Sequence, residues 1–126
     1  MDIIFTDKAP SAVGPYSQAV KTGHYVFCSG QISIDPETTK LVADDVETQT
    51  QQVFKNIRAI LTASDLNLKD IVKTTVFLSD MDDFPAMNKI YEKEFSKHKP
   101  ARSTVQVTRL PLDAKIEIEC IAALEK

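Results

Sequence analysis

Glycine is scarce in this chain, with three residues in 126, and proline supplies six more breakers. Nearly every segment can therefore enter regular structure, and nothing reads as a linker, repeat or low-complexity tract. No apolar run approaches the roughly 18 residues of a membrane span. The start, Met1-Asp2-Ile3-Ile4-Phe5, lacks the basic region and long apolar stretch of a secretion signal, so a cytoplasmic protein is expected. Cysteine is limited to Cys28 and Cys120, with no Cys-x-x-Cys pair. Both sit in strand-like apolar runs and read as buried, reduced thiols. More than two basic residues never adjoin, and the net charge is -3. A nucleic-acid partner is not expected from a chain that advertises no basic patch. Gly-rich phosphate loops, the Gly-x-Ser-x-Gly elbow and the His-Glu-x-x-His helix are all missing. His24, after a turn, and His98, after a helix, are too few for a zinc site and read as surface residues.

What is present suffices for one packed domain spanning residues 1–126. Hydrophobic residues make up 43% and charged residues 26%, which separates the chain from disordered sequences. Strands are predicted at about 3–6, 17–21, 24–29 continuing to 34 past Gly30, 72–79, 102–109 and 115–124. Residues 7–16, with two prolines and a glycine, form a loop. Thr22-Gly23 marks a tight turn, and Gly30 inside a strand marks a bulge or a close backbone approach. Val46, Val53, Ile57, Ile60 and Leu61 recur at helical spacing behind Asp45, which predicts an N-capped helix over 46–63. A second helix is predicted over 84–97, capped by Asp82 or Asp83. Glu94 interrupts its apolar stripe without a reason in the periodicity. Arg58 falls on the polar side of the first helix and reads as a solvated charge.

The order β-β-β-α-β-α-β-β places two helices on one face of a sheet. In the last strand Ile116, Ile118, Cys120, Ala122 and Leu124 share one face, because strand side chains alternate. The other face carries Glu117 and Glu119 but ends in Ile121 and Ala123, so it too reads as covered, and another copy of the chain is the economical cover. Arginine occurs three times, at 58, 102 and 109. Arg102 follows the stiff Pro100-Ala101 pair. It either offers a planar fork to a ligand carboxylate or pairs with Glu117 or Glu119. These half-buried carboxylates either do acid–base work or lie on a salt-bridged strand face. Tyr16, held by Gly14-Pro15, either walls a pocket or packs on the core.

Five segments together resemble the RidA (YjgF) family. They are Gly14-Pro15-Tyr16-Ser17-Gln18-Ala19-Val20, Ser29-Gly30-Gln31-Ile32, Pro100-Ala101-Arg102-Ser103-Thr104-Val105, Leu110-Pro111 and Ile116-Glu117-Ile118-Glu119-Cys120-Ile121-Ala122. The resemblance runs nearly end to end. It implies a chorismate-mutase-like α+β fold, assembled as a homotrimer with sheets facing inward and sites in the clefts between subunits. It implies cofactor-free, metal-free hydrolytic deamination of 2-aminoacrylate, 2-aminocrotonate and their imines, 2-iminopropanoate and 2-iminobutanoate, to 2-oxo acids. The alternative is a non-catalytic module that senses 2-oxo acids. By the same resemblance Arg102 would anchor the substrate carboxylate and Glu117 would orient the attacking water. Tyr16, Ser29, Gly30, Asn88 and Thr104 would line the substrate pocket. Thr104 stands where many members carry cysteine, and the Ser96-Lys97-His98-Lys99 connection is shorter than in many members.

Overall fold

The computed structural model describes residues 1–125. The apolar patterning resolves into β1 (Asp2–Ile4), β2 (Ala19–Thr22), β3 (Tyr25–Gln31), α1 (Val46–Thr62), β4 (Ile71–Leu78), α2 (Phe84–Phe95), β5 (Ala101–Gln106) and β6 (Ile116–Ala123). The strands form a single six-stranded sheet in the order β1-β2-β3-β6-β4-β5. Pairing is antiparallel except between β4 and β5, which run parallel around the α2 crossover. This is the expected α+β architecture, with both helices on one face. None of the described helices is long and apolar enough to cross a membrane.

Local chemistry explains most element ends. The Asp45 carboxylate accepts the Thr48 N–H at 2.7 Å and caps α1. The turn between β2 and β3 needs a left-handed residue, and Gly23 supplies φ 57°. α2 begins differently from the expected cap. Asp80 caps a short 3₁₀ turn, Met81–Asp83, and Asp83 makes no side-chain cap bond to the helix behind it. α2 also stops two residues early. Ser96 adopts φ 58° and sends its N–H back to the Glu92 carbonyl. Past β3, the predicted continuation to residue 34 is reduced to one bridge, Ile34 with Leu41. Here the chain turns over α1, where Asn56 Nδ2 holds the Ile32 and Ile34 carbonyls at 3.2 and 2.9 Å.

Burying the apolar faces of α1 and α2 against one side of the sheet makes the core. Phe54, Ile57, Ile60, Leu78, Ile116 and Ile118 are fully enclosed there. Fully burying a side chain of this size stabilises by roughly 1.5–3 kcal/mol. Phe54 meets Tyr91 and Phe95 edge-on at 5.7 and 5.5 Å between ring centroids, which locks the helices together. Arg58 is not a free solvated charge. It pairs with Glu94 across the helix–helix seam, which also explains the glutamate in the α2 stripe. His98 is half-buried rather than a surface group: its ring Nε2 donates to the Ile71 carbonyl at 2.6 Å. Cys28 and Cys120 are buried free thiols.

Among the described residues no helix covers the opposite face of the sheet. Ile3, Tyr25, Phe27 and Val105 lie 67, 50, 45 and 42% exposed there, beside half-buried Phe77, Ile121 and Ala123. Leu124, expected to extend the buried row of β6, lies beyond the strand and is exposed.

Candidate active site

The predicted site residues form two groups, one on each face of the sheet. Arg102 pairs in register with Thr74, and Thr74 with Cys120, so Arg102 lies in a row on the helix-covered face. Glu117 pairs with Phe77, and Phe77 with Val105, in a row on the open face. Residues directly opposite in neighbouring strands share a face. A salt bridge between Arg102 and Glu117 or Glu119 of the same chain is therefore not formed.

The first group is a fixed guanidinium. Pro100 ends the helical connection, and β5 then presents Arg102 beneath α2. Arg102 Nη1 donates to Asn88 Oδ1 at 2.6 Å. Its Cζ lies 4.6 Å from the Tyr91 ring centroid and 5.4 Å from that of Phe84. Such stacking holds a guanidinium in one plane and costs it none of its donors. Tyr91 is itself held, because its hydroxyl shares a 2.7 Å hydrogen bond with Thr74 Oγ1. Burial pushes the Tyr91 phenol up from its ordinary value, so it remains a neutral hydroxyl beside the cation. Among the described residues the ion pairs are Arg58–Glu94 and Arg109–Asp113. Arg102 has no carboxylate partner among them, and it borders a cavity of about 400 Å³ with Asn88, Tyr91 and Lys99. A half-buried guanidinium with N–H groups left over is chemically suited to a carboxylate or other anion. Thr104, two residues along β5, has a buried hydroxyl with no hydrogen-bond partner.

The second group is a carboxylate against bare backbone. β3 bulges between Cys28 and Gln31 where it meets β6, and Gly30 lies in the bulge. A β-carbon at residue 30 would stand 2.5 Å from Glu117 Oε2 and 2.8 Å from its Cδ. Only glycine leaves room for this approach. Burial first, and then the Glu119 charge, push the Glu117 carboxyl up from its ordinary value. A carboxyl so placed accepts a proton more readily than one in water. Ser29 offers less than expected. Its N–H goes to the Gln18 carbonyl at 2.9 Å and its hydroxyl to the Ser17 carbonyl at 2.6 Å, so both donors are used within the chain. Tyr16 is 55% exposed at the end of the 7–16 loop rather than packed on the core.

Sequence reasoning overlooked two buried amides that pin neighbouring segments, and the second role of Tyr91. Gln18 is buried beneath the proline loop. Its Oε1 accepts the Thr6 N–H at 2.8 Å, and its Nε2 reaches the carbonyls of Thr6, Ala9 and Pro10. Gln49 on α1 accepts the Lys115 N–H at 2.9 Å, just ahead of β6. Tyr91 reads as core in the α2 stripe, yet its ring also carries Arg102. An isolated amide flanking a proline-containing loop is a weak signal of such pinning, and nothing in periodicity distinguishes it from a surface residue.

Fold and geometry define a class: a small mixed-sheet α+β domain with a guanidinium lacking a carboxylate partner among the described residues on one face and a half-buried carboxylate on the other. The family model described as Endoribonuclease L-PSP matches residues 6–124, and the chain belongs to this family, the YjgF/RidA proteins. It is 52% identical to a 2-iminobutanoate/2-iminopropanoate deaminase of Salmonella typhimurium over 94% of each chain. It is 54% identical to the chloroplastic Reactive Intermediate Deaminase A of Arabidopsis thaliana, over 98% of this chain and 66% of that protein. The crystal structure of E. coli TdcF with bound serine superposes with a TM-score of 0.95 at 45% identity, covering 99% of this chain and 100% of that one.

Proposed function

We propose that this protein hydrolyses 2-imino acids, the tautomers of 2-aminoacrylate and 2-aminocrotonate, to 2-oxo acids and ammonia without a cofactor. The observation that carries this reading is Arg102. It is a guanidinium fixed by Asn88 and two aromatic rings, and it lacks a carboxylate partner among the described residues. A small planar 2-imino acid presents a carboxylate that matches the guanidinium fork. Once the carboxylate is held, the adjacent imine carbon stands at a fixed distance and orientation.

The remaining chemistry asks for a base. Water adds to the imine carbon, giving a carbinolamine. A proton moves from the added water to nitrogen, the C–N bond breaks, and ammonia leaves as the carbonyl forms. Glu117, with its raised proton affinity and open backbone neighbour Gly30, suits both taking the proton from water and returning it to nitrogen. Tyr16, Asn88, Gly30 and Thr104 would wall the pocket, with Ser29 contributing backbone rather than its hydroxyl.

Arg102 and Glu117 lie on opposite faces of one chain, so a working site needs a second copy. The helix-free face, with Phe27, Tyr25, Ile121 and Phe77, is the surface on which copies would meet. In this reading three copies turn that face inward, and each cleft takes Arg102 from one subunit and Glu117 with Gly30 from its neighbour.

The test is a competition. Threonine dehydratase generates 2-aminocrotonate in the cuvette, semicarbazide traps its imine, and this protein competes with the trap. Suppression of the semicarbazone signal, lost in Arg102→Ala, is the expected result. Unchanged trapping by folded, oligomeric protein that still binds 2-oxobutanoate would replace the enzyme with a 2-oxo acid sensor.

A further inference from the structure

Cys28 and Cys120 are directly opposed across the β3–β6 seam, as partners in the antiparallel register. Opposed residues in an antiparallel pair have Cα atoms about 4.5 or 5.5 Å apart, depending on whether the pair is hydrogen-bonded. Both spacings fall within the roughly 4.4–6.8 Å that a disulfide spans. Both side chains point to the helix-covered face, 6 and 3% exposed, and both are free thiols. The Cys28 thiol, hydrogen-bonded beside it, and then burial hold the Cys120 thiol well above its ordinary range. At rest Cys120 is therefore a protonated thiol and slow to react. None of the chemistry proposed for Arg102 and Glu117 uses either sulfur.

We propose that Cys28 and Cys120 form a reversible cross-strand disulfide when the protein meets a hydroperoxide, a modification that staples β3 to β6. The more exposed Cys28 sulfur attacks the peroxide. The O–O bond breaks, the sulfur becomes a sulfenic acid, and the alcohol, or water from hydrogen peroxide, departs. The Cys120 sulfur then displaces the hydroxyl, which leaves with a proton as water. Two thiols lose two electrons and two protons in all, and the peroxide is the species reduced. Register strengthens the case. The β3 bulge begins immediately after Cys28, and Glu117 lies three residues before Cys120 on β6. The staple would close the seam beside the bulge that brings Gly30 against Glu117. In a reducing compartment such a bond is transient and reports oxidant.

The test uses the full-length protein without its variants first. Treatment with hydrogen peroxide for hours, followed by mass spectrometry, is expected to show loss of two hydrogen masses. Proteolysis should give one linked peptide pair containing residues 28 and 120, and a dithiol reductant should restore the original mass. The oxidised form should unfold at a higher temperature, by about 5–10 °C, since the bond closes a long loop. Cys28→Ala and Cys120→Ala should each abolish the mass loss. Oxygen adducts without loss of hydrogen, an intermolecular link, or thiols that stay reduced throughout would each overturn the proposal.

Discussion

Gly30 gives the Glu117 carboxylate space that a side chain would take: a β-carbon at residue 30 would stand 2.5 Å from Glu117 Oε2. Gly30→Ala must therefore displace the Glu117 side chain. The displaced atoms are the far end of a flexible chain, so the fold should tolerate the change with a loss of about 1 kcal/mol or less. The carboxylate would leave its place, and the rate of imine hydrolysis should fall about 100-fold or more, the scale of a lost general base. Thermal melting beside the semicarbazide competition separates the two effects. A variant with normal activity would remove Glu117 from the mechanism.

Arg102 should be needed for its shape as much as for its charge. Arg102→Ala removes a charge-assisted contact of about 1.5–3 kcal/mol, so kcat/KM should drop about 10- to 100-fold. Arg102→Lys keeps the charge but loses the fork, the Asn88 bond and the stacking on Tyr91. It should recover only a small part of the loss. The semicarbazide competition run on both variants measures this, with circular dichroism as a check on folding and a 2-oxobutanoate titration to report the carboxylate contact separately.

In the proposed mechanism Glu117 would link activity to stability through pH. Its carboxyl is harder to ionise in the folded chain than in the unfolded one, because of burial and the Glu119 charge. The folded state therefore holds that proton more tightly. The resulting stabilisation is complete below the unfolded value, about 4.3, and is lost as the pH rises through the raised folded value. Glu117→Gln should thus melt higher than the parent at pH 7, with the difference closing below about pH 4. Its hydrolysis should be slow at every pH, whereas the parent's should rise as Glu117 ionises. Melting curves and rates across this range check both directions.

Ser96 ends α2 with φ 58° and ψ -116°, a region that side chains bearing a β-carbon enter at a cost. Ser96→Gly should relieve that strain and raise stability by about 1 kcal/mol. Urea unfolding of the variant would show a higher midpoint with unchanged slope. A lower midpoint would mean that the Ser96 side chain holds the short connection in place.

Element order, both helices, the bulge at Gly30 and the apolar row of β6 were legible because each rests on local rules. Those rules are 3.6-residue and two-residue periodicity, turn chemistry at Gly23, and the Asp45 cap. Element ends shifted where a long-range bond intervened, as when Asn56 captured the Ile32 and Ile34 carbonyls and left β3 to end at Gln31. Arg58 read as solvated because its partner, Glu94, stands 36 residues away on another helix. His98 read as exposed for the same reason, with its acceptor at Ile71.

The sequence by itself determined the fold class, the family resemblance and the residue types a carboxylate-binding, proton-transferring site would need. Their arrangement was decided only in three dimensions. Strand alternation puts Arg102 and Glu117 on some face, but which one depends on the β5-β4-β6 register, set by packing the apolar rows of all three strands under two helices. That register separates the guanidinium from the carboxylate within one chain. It also brings Gly30 against Glu117, and Cys28 opposite Cys120, across strands far apart in sequence.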